Sequence, residues 1–423
     1  MTQAREQDPL QGQQQNQAQA PTEQPKSTTA VIILFALAAC AATTSFRICD
    51  PLLPVFAEEF GVRTAQTSGT VTLFAIAYGI MQFFYGPLGD RYGKFRVVSW
   101  ATLGCAIGTL IVVFAPSLEV IEFGRLVSGA TAAAIVPLSM AWIGDHVPYE
   151  QRQATLARFL LGSISGLAIG QLIGGVFADT IGWRWAFVWM AAVYFIVGGL
   201  LISKRKSVPE KPHSPVQGAR ILGPLKQVVS TRWAVMVLVI VLIEGIFVFG
   251  PLAFVPAFLH ERHGIPVSWA GIISGFFALG AFIYAIRANQ FVKWLGERRL
   301  ALTGGLTMAI AYAAFMLSTV WYWGVLASIL SGLGYYFLHA VLQTHATQMA
   351  PTARGSAVSL FASCLFLGQS LGVAACAWLG DNFGLSAVFP VGIIGLPLLA
   401  LFFAWRLRLR QVHLNAAAKT SSA

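Results

Sequence analysis

Runs of Leu, Ile, Val, Phe and Ala, each long enough to form several helical turns, recur along the chain between short polar stretches. At about 20 apolar residues per crossing of a bilayer, twelve segments qualify: 30–57, 66–87, 96–115, 117–143, 154–178, 183–203, 233–259, 267–288, 300–318, 321–348, 355–379 and 385–406. They are numbered here as spans 1 to 12. Backbone groups in lipid must satisfy one another internally, and the segments lack the strict alternation of a membrane barrel, so the pattern predicts helices. The Gln- and Pro-rich start reads as a disordered tail. It leads straight into a full-length apolar run, which is expected to be a retained span rather than a cleaved signal. The longest internal polar stretch, Lys204 to Arg232, contains a KRK triplet and several prolines. The predicted organisation is a tail at 1–29, a six-helix bundle at 30–203, a linker at 204–232, a second six-helix bundle at 233–406 and a tail at 407–423.

Composition agrees with this pattern. Hydrophobic residues make up 56% of the chain and charged residues 11%, with a mean hydropathy of +0.68. A soluble domain needs far more charge to cover its surface. The net charge of +11 would suggest nucleic acid in a soluble protein, but its placement points elsewhere. With twelve spans both termini share a side. If that side is the cytoplasm, 21 of the 28 Lys and Arg residues lie on it, against three (Arg63, Arg184, Arg262) on the other side and four within spans. Cations concentrate on the cytoplasmic side of membrane proteins. The expected surroundings are therefore a lipid bilayer, with both termini cytoplasmic and no nucleic-acid partner.

The five cysteines all fall in apolar runs and form no CxxC pair or Cys/His cluster, so neither a metal, a cofactor nor a disulfide framework is expected. There is no Walker sequence and no H-E-x-x-H or G-x-S-x-G, which argues against a nucleotide-driven pump or an embedded enzyme. The tails and linker are too short and too polar to form a folded output domain.

The two halves resemble each other. At an offset of 202, Gly166 meets Gly368, Gly170 meets Gly372, Asp179 meets Asp381, Gly182 meets Gly384 and Phe187 meets Phe389. At an offset of 203, Gly93 meets Gly296. This ordering suggests a duplication, and two six-helix halves related by an axis along the membrane normal make a transporter architecture.

Between spans 2 and 3 stands GPLGDRYGKFR, residues 86–96. Gly86 and Gly89 allow close helix approach, and Gly93 allows a tight turn. Asp90 is an anion facing the ends of other helices, and Lys94 and Arg91 are within reach of Asp145 at the end of span 4. A membrane-edge anchor would need cations alone; the aspartate and glycines suit a latch between the halves. The stretch resembles the loop between spans 2 and 3 of the major facilitator superfamily, G-x-L-a-D-R-x-G-r-k, at Gly86, Leu88, Asp90, Arg91, Gly93 and Lys94. The chain thereby resembles the twelve-span drug:proton antiporter branch of that family. The resemblance implies an all-α membrane protein of two pseudo-symmetric six-helix bundles. It also implies that Asp90 docks on the amino end of span 11, near Arg354, when the cytoplasmic side is closed. The matching stretch of the second half has no such aspartate.

Ionisable groups inside spans are costly unless paired or facing water, so each is a candidate. Arg47 and Asp50 lie three apart in span 1, followed by Pro51 and Pro54, and serve either as a structural pair or in proton or substrate handling. Arg125 and Gly129 resemble the family's R-x-x-x-G motif of span 4, associated with proton coupling. A guanidinium keeps its charge, so Arg125 can only pair with a carboxylate, Asp50 or Glu122, or hold an anionic group. Glu244 sits near the middle of span 7 with no cation within a turn. It is a candidate proton-carrying or cation-binding carboxylate, the other reading being a hydrogen-bonded structural acid. His339 and Gln343 share a face of span 10, while His345 faces elsewhere. In span 5 the run GLAIGQLIGG resembles the antiporter motif G-x-x-x-G-P-x-x-G-G at Gly166, Gly170, Gly174 and Gly175, with Gln171 in place of the proline. Tyr78, Trp142, Phe247, Tyr335 and Tyr336 are candidate cavity aromatics.

These features lead to a secondary active transporter that exports a small organic or drug-like compound in exchange for protons, as a monomer in a bacterial inner membrane. The other reading is proton-coupled uptake of an organic anion, sugar or other metabolite.

Overall fold

The computed structural model describes residues 26–205 and 222–421. Nearly all of the predicted amino-terminal tail and most of the linker lie outside the described residues. Span 1 runs Lys26–Arg47, breaks, and resumes as Leu53–Phe60. The break surrounds Pro51, whose ring and missing N–H interrupt a helical ladder. Spans 2 and 3 are Gly69–Tyr92 and Lys94–Val113. Span 4 is Leu118–Ala132 followed by Ile135–His146, and spans 5 and 6 are Tyr149–Thr180 and Trp183–Lys204.

In the second half, span 7 is Arg232–Ala253 followed by Val255–His263. Span 8 starts at Val267–Gly275 and enters a helical stretch, Phe277–Leu317, that also contains span 9. The turn between spans 8 and 9 is at Gly296, the one residue of that stretch with non-helical angles (φ 66°, ψ 165°). The eleven helical runs long and apolar enough to cross a membrane among the described residues thus hold twelve spans. Spans 10 and 11 are Trp323–Gln348 and Arg354–Phe383. The last helix, Phe389–Ser421, carries span 12 and continues without a break through the stretch predicted as a tail from 407.

The duplication is visible in the backbone. Six glycines adopt positive φ: Gly61, Gly93, Gly182, Gly264, Gly296 and Gly384. They form three pairs at the sequence offset, 61 with 264, 93 with 296 and 182 with 384. Each half needs a left-handed residue at the same three turns, and glycine alone adopts it without strain.

Helix packing repeats as well. Span 5 lies on span 1, and span 11 on span 7. Gly166 and Gly170 face the backbone of Cys40 and Thr44, while Gly368 and Gly372 face that of Leu242 and Ile246. Side chains at these positions would strike opposing main chain, so small residues set the helix separation.

Two further seams join the halves: span 5 against span 8, and span 2 against span 11. Residues 86–96, expected as a loop, are helical except at Gly93, where span 2 turns directly into span 3. We call the end carrying this turn and most of the cations the basic end, and the other the opposite end.

Candidate functional site

Spans 1, 2, 5, 7, 8, 10 and 11 enclose a cavity of about 170 Å³ between the halves. The repeat offset of 202 runs through its wall. Arg47 and Phe249 both line it, as do Ser163 and Leu365, Ile164 and Phe366, and Leu167 and Gln369. The same helix faces thus form the cavity from both sides, with different chemistry at matched positions. Tyr78, Tyr335 and Tyr336 are lining residues. Trp142 instead packs edge-on against Phe35 and stacks on His146 within the first half. Phe247 covers Gly395. Sequence reasoning missed Phe46 and Phe366, whose rings meet across the halves at 5.4 Å, and Tyr78 lies 4.1 Å from Phe366. These contacts depend on helix rotation, which an all-apolar sequence does not reveal.

The buried charges fall into two groups. In the first half, Arg47 Nη1 lies 3.0 Å from Asp50 Oδ2. Gln171 Nε2 donates to the same oxygen at 2.9 Å. The glutamine that replaces the motif's proline therefore ties span 5 to the break in span 1. A proline there would have no donor to offer. Arg125 is also buried, but neither suggested carboxylate is bonded to it. Its Nε donates to the Thr70 carbonyl and its Nη1 to Ser45 Oγ, both at 3.0 Å. Its guanidinium lies 4.2 Å from the centre of the Phe74 ring. Glu122 stands over Gly69.

In the second half, Glu244 is 0% exposed and its Oε2 lies 2.9 Å from His339 Nδ1. The two residues are 95 apart in the chain, so no spacing rule linked them. The His339 ring stacks on Tyr335, a cavity residue, at 4.8 Å. Gln343, one turn nearer the basic end, is exposed and is not a lining residue. His345 faces away from the cavity, toward Glu297 at 3.2 Å and Arg410 at 3.4 Å.

At the offset of 202, Glu244 corresponds to Ala42. Asp50 is eight residues further along, past the end of the helix at Arg47, and so lies nearer the opposite end than Glu244. The two carboxylates therefore sit at different depths on either side of one cavity. Each keeps one buried oxygen, Asp50 Oδ1 and Glu244 Oε1, with no hydrogen bond among the described residues.

The two ends of the interface differ. At the opposite end, Arg63 pairs with Asp381 at 3.2 Å, Thr64 bonds Glu261 at 3.2 Å, and the Ser268 N–H donates to Asp179 at 2.7 Å. Gly175 packs against Val267 and Ser268 there. Asp179 and Asp381 are the repeat pair noted in the sequence. Along the span 2–span 11 seam, Ser370 bonds the Thr72 carbonyl and Gly79 packs on Ser363. Continuing that antiparallel register toward the basic end brings Gly86 level with Ser356, next to Gly355, and a side chain added at either glycine would meet open space. Asp90 is 60% exposed, its nearest cation Lys94 at 3.9 Å. Lys94 itself bonds Asp145 at 2.5 Å, within the first half. The cavity is thus closed off at the opposite end, and the helices have parted at the basic end.

The sequence profile of the Major Facilitator Superfamily matches residues 35–318 and 270–422. The multidrug resistance protein MdtG of Proteus mirabilis is 26% identical over 356 residues, covering 81% of this chain and 87% of MdtG. An uncharacterized MFS-type transporter of Bacillus subtilis, YceJ, is 23% identical over 342 residues, covering 78% of this chain and 84% of YceJ. The crystal structure of the nucleoside transporter NupG superposes with a TM-score of 0.73 at 13% identity, covering 88% of this chain and 98% of NupG, which shows the shared fold.

Proposed function

The chain belongs to the major facilitator superfamily of membrane transporters, and we propose that it exports a small organic compound in exchange for protons by alternating access. The basic end faces the cytoplasm on this reading, as the cation distribution favours. The arrangement described is then the one that admits a compound from inside the cell. Each proton moving inward contributes about 2.3 kcal/mol per 100 mV of potential, plus any pH term.

The observation that carries the coupling is the Glu244–His339 pair. A fully buried carboxylate beside an imidazole is a site where one proton changes the net charge of the bundle interior. The His339 ring rests on Tyr335. Movement of the imidazole as Glu244 gains or loses its proton would therefore be felt at the cavity wall. Arg47, Asp50 and Gln171 form a second polar cluster and Arg125 a fixed cation behind it. Asp90 acts as the latch that meets span 11 when the basic end closes. Efflux also accords with the name of the relative MdtG, a multidrug resistance protein.

A second reading, uptake of an organic anion with protons, draws on the cavity lining, where Arg47 is the charged residue. Substrate-induced proton flux in proteoliposomes separates the two by its direction. Glu244→Gln should abolish coupled flux while leaving the folded protein intact; coupled flux at the native rate in this variant removes Glu244 from the mechanism.

A further inference from the structure

We infer that Gln369 is the specificity-determining residue of the cavity, and that it reads an adjacent N–H and C=O, as in a lactam or carboxamide, on a compact aromatic compound that is neutral or anionic. The inference rests on the central cavity being the transport site, as proposed above.

Gln369 lies on span 11, lines the cavity and is 1% exposed. Neither its Nε2 nor its Oε1 has a hydrogen-bond partner among the described residues. Burying both ends of an amide unpaired is costly, and a side chain needed for packing alone would not carry them. The repeat supplies the control: Leu167 holds the matching position in span 5 and lines the same cavity. The packing there is satisfied by a leucine. The amide of Gln369 presents a donor and an acceptor side by side, and their complement is a group that accepts at one atom and donates at the next.

The rest of the lining narrows the class. Phe46, Phe249, Phe277 and Phe366, with Tyr78 and Tyr335, make a wall of ring faces and edges. Such a wall suits a flat aromatic body. The volume of about 170 Å³ is small beside the ~300–1,000 Å³ of sites for drug-sized ligands, so one or two fused rings fit. The charged lining residue is Arg47, and no carboxylate among the described residues lines the cavity. Asp50 offsets the charge of Arg47 from behind the wall, but that carboxylate is engaged by Arg47 and Gln171 and does not line the cavity, so a cationic ligand would find no carboxylate to pair with, whereas a carboxylate or oxo group could share the guanidinium.

The test is equilibrium binding to the full chain in lipid nanodiscs, with no gradient applied. The probes are 2-quinolinone, its N-methyl derivative, which lacks the donor, and the N-methylquinolinium cation. The native protein should bind 2-quinolinone at least ~10-fold more tightly than the N-methyl derivative, the scale of a buried polar pair made or lost. The cation should bind weakest. Gln369→Leu, which copies Leu167, should erase the preference while binding the N-methyl derivative within about threefold of native, a sign that the cavity is intact. Equal binding of the two lactams by the native protein, binding of neither, preference for the cation, or a preference that survives Gln369→Leu would overturn the assignment. Because binding is read without a gradient, a failure of proton-coupled flux counts against the coupling reading and leaves this result standing.

Discussion

The two ends of the bundle interface make opposite use of the same repeat. At the opposite end, Asp179 and Asp381 each cross to the other half, one to the Ser268 N–H and the other to Arg63. At the basic end Asp90 crosses to nothing among the described residues, and Gly86 and Gly355 face open space. The difference teaches where closure energy is stored. One end is held by backbone-to-backbone glycine packing with a few polar ties, and the other carries, in the last turn of span 2, the exposed Asp90 proposed as the latch. The motif of residues 86–96 thus belongs to the end that is apart, while the closed end is held by the tail of the span-5 glycine run, Gln171 and Gly175 against span 8, and by the repeat pair Asp179 and Asp381.

The largest effect should come from the glycine seam. A Cβ at Gly271 would strike the Gln171 carbonyl. Gly271→Val should force spans 5 and 8 apart, shifting the equilibrium away from the closed opposite end by about 5- to 150-fold, the range of overpacking in a tight core. Accessibility of a cysteine placed in the cavity to an impermeant reagent would show it. Native accessibility in that variant would mean the seam does not hold the end shut.

Gln171→Leu keeps the seam and removes the donor to Asp50. Leaving a buried carboxylate oxygen short of a bond costs about 1–3 kcal/mol, so thermal stability in detergent should fall measurably. An unchanged melting temperature would reduce the first-half cluster to a bystander.

Asp90→Ala should leave stability and substrate affinity nearly unchanged, because in this arrangement the side chain is largely exposed. Transport should slow about 2- to 5-fold, the worth of one carboxylate at a helix amino end. A native turnover rate would dismiss the latch.

The smallest change is expected from Asp381→Asn. Arg63 is 64% exposed, and exposed ion pairs are worth about 0.2–1 kcal/mol, so the opposite end should open about twofold more often. If this variant outweighs Gly271→Val, the ranking of packing over charge at that end is wrong.

Much of the fold was legible because bilayer thickness, turn glycines and charge placement all leave periodic marks. The break in span 1 was readable at Pro51, and the turn between spans 8 and 9 at Gly296. The site was legible only in part. Buried ionisable residues announced themselves singly, but their partners did not. Glu244 and His339 come together through the packing of spans 7 and 10, and Asp50 and Gln171 through that of spans 1 and 5. Such pairings depend on helix rotation and depth, which apolar sequence leaves open. Gln343 misled for a related reason. It shares a helical face with His339, but it stands one turn nearer the end where the halves part, and there it is exposed. Gln369 gave no signal at all, since only the cavity shows that its amide is enclosed.

Reciprocal motion of the two ends about the central cavity underlies every reading above. The direct measurement is a pair of spin-label distances in nanodiscs after replacement of the native cysteines, one between residues 181 and 383 at the opposite end and one between 149 and 294 at the basic end, all exposed positions. Across a pH titration with substrate present, the first distance should lengthen as the second shortens. Two distances that stay fixed, or that lengthen together, would contradict alternating access in this protein.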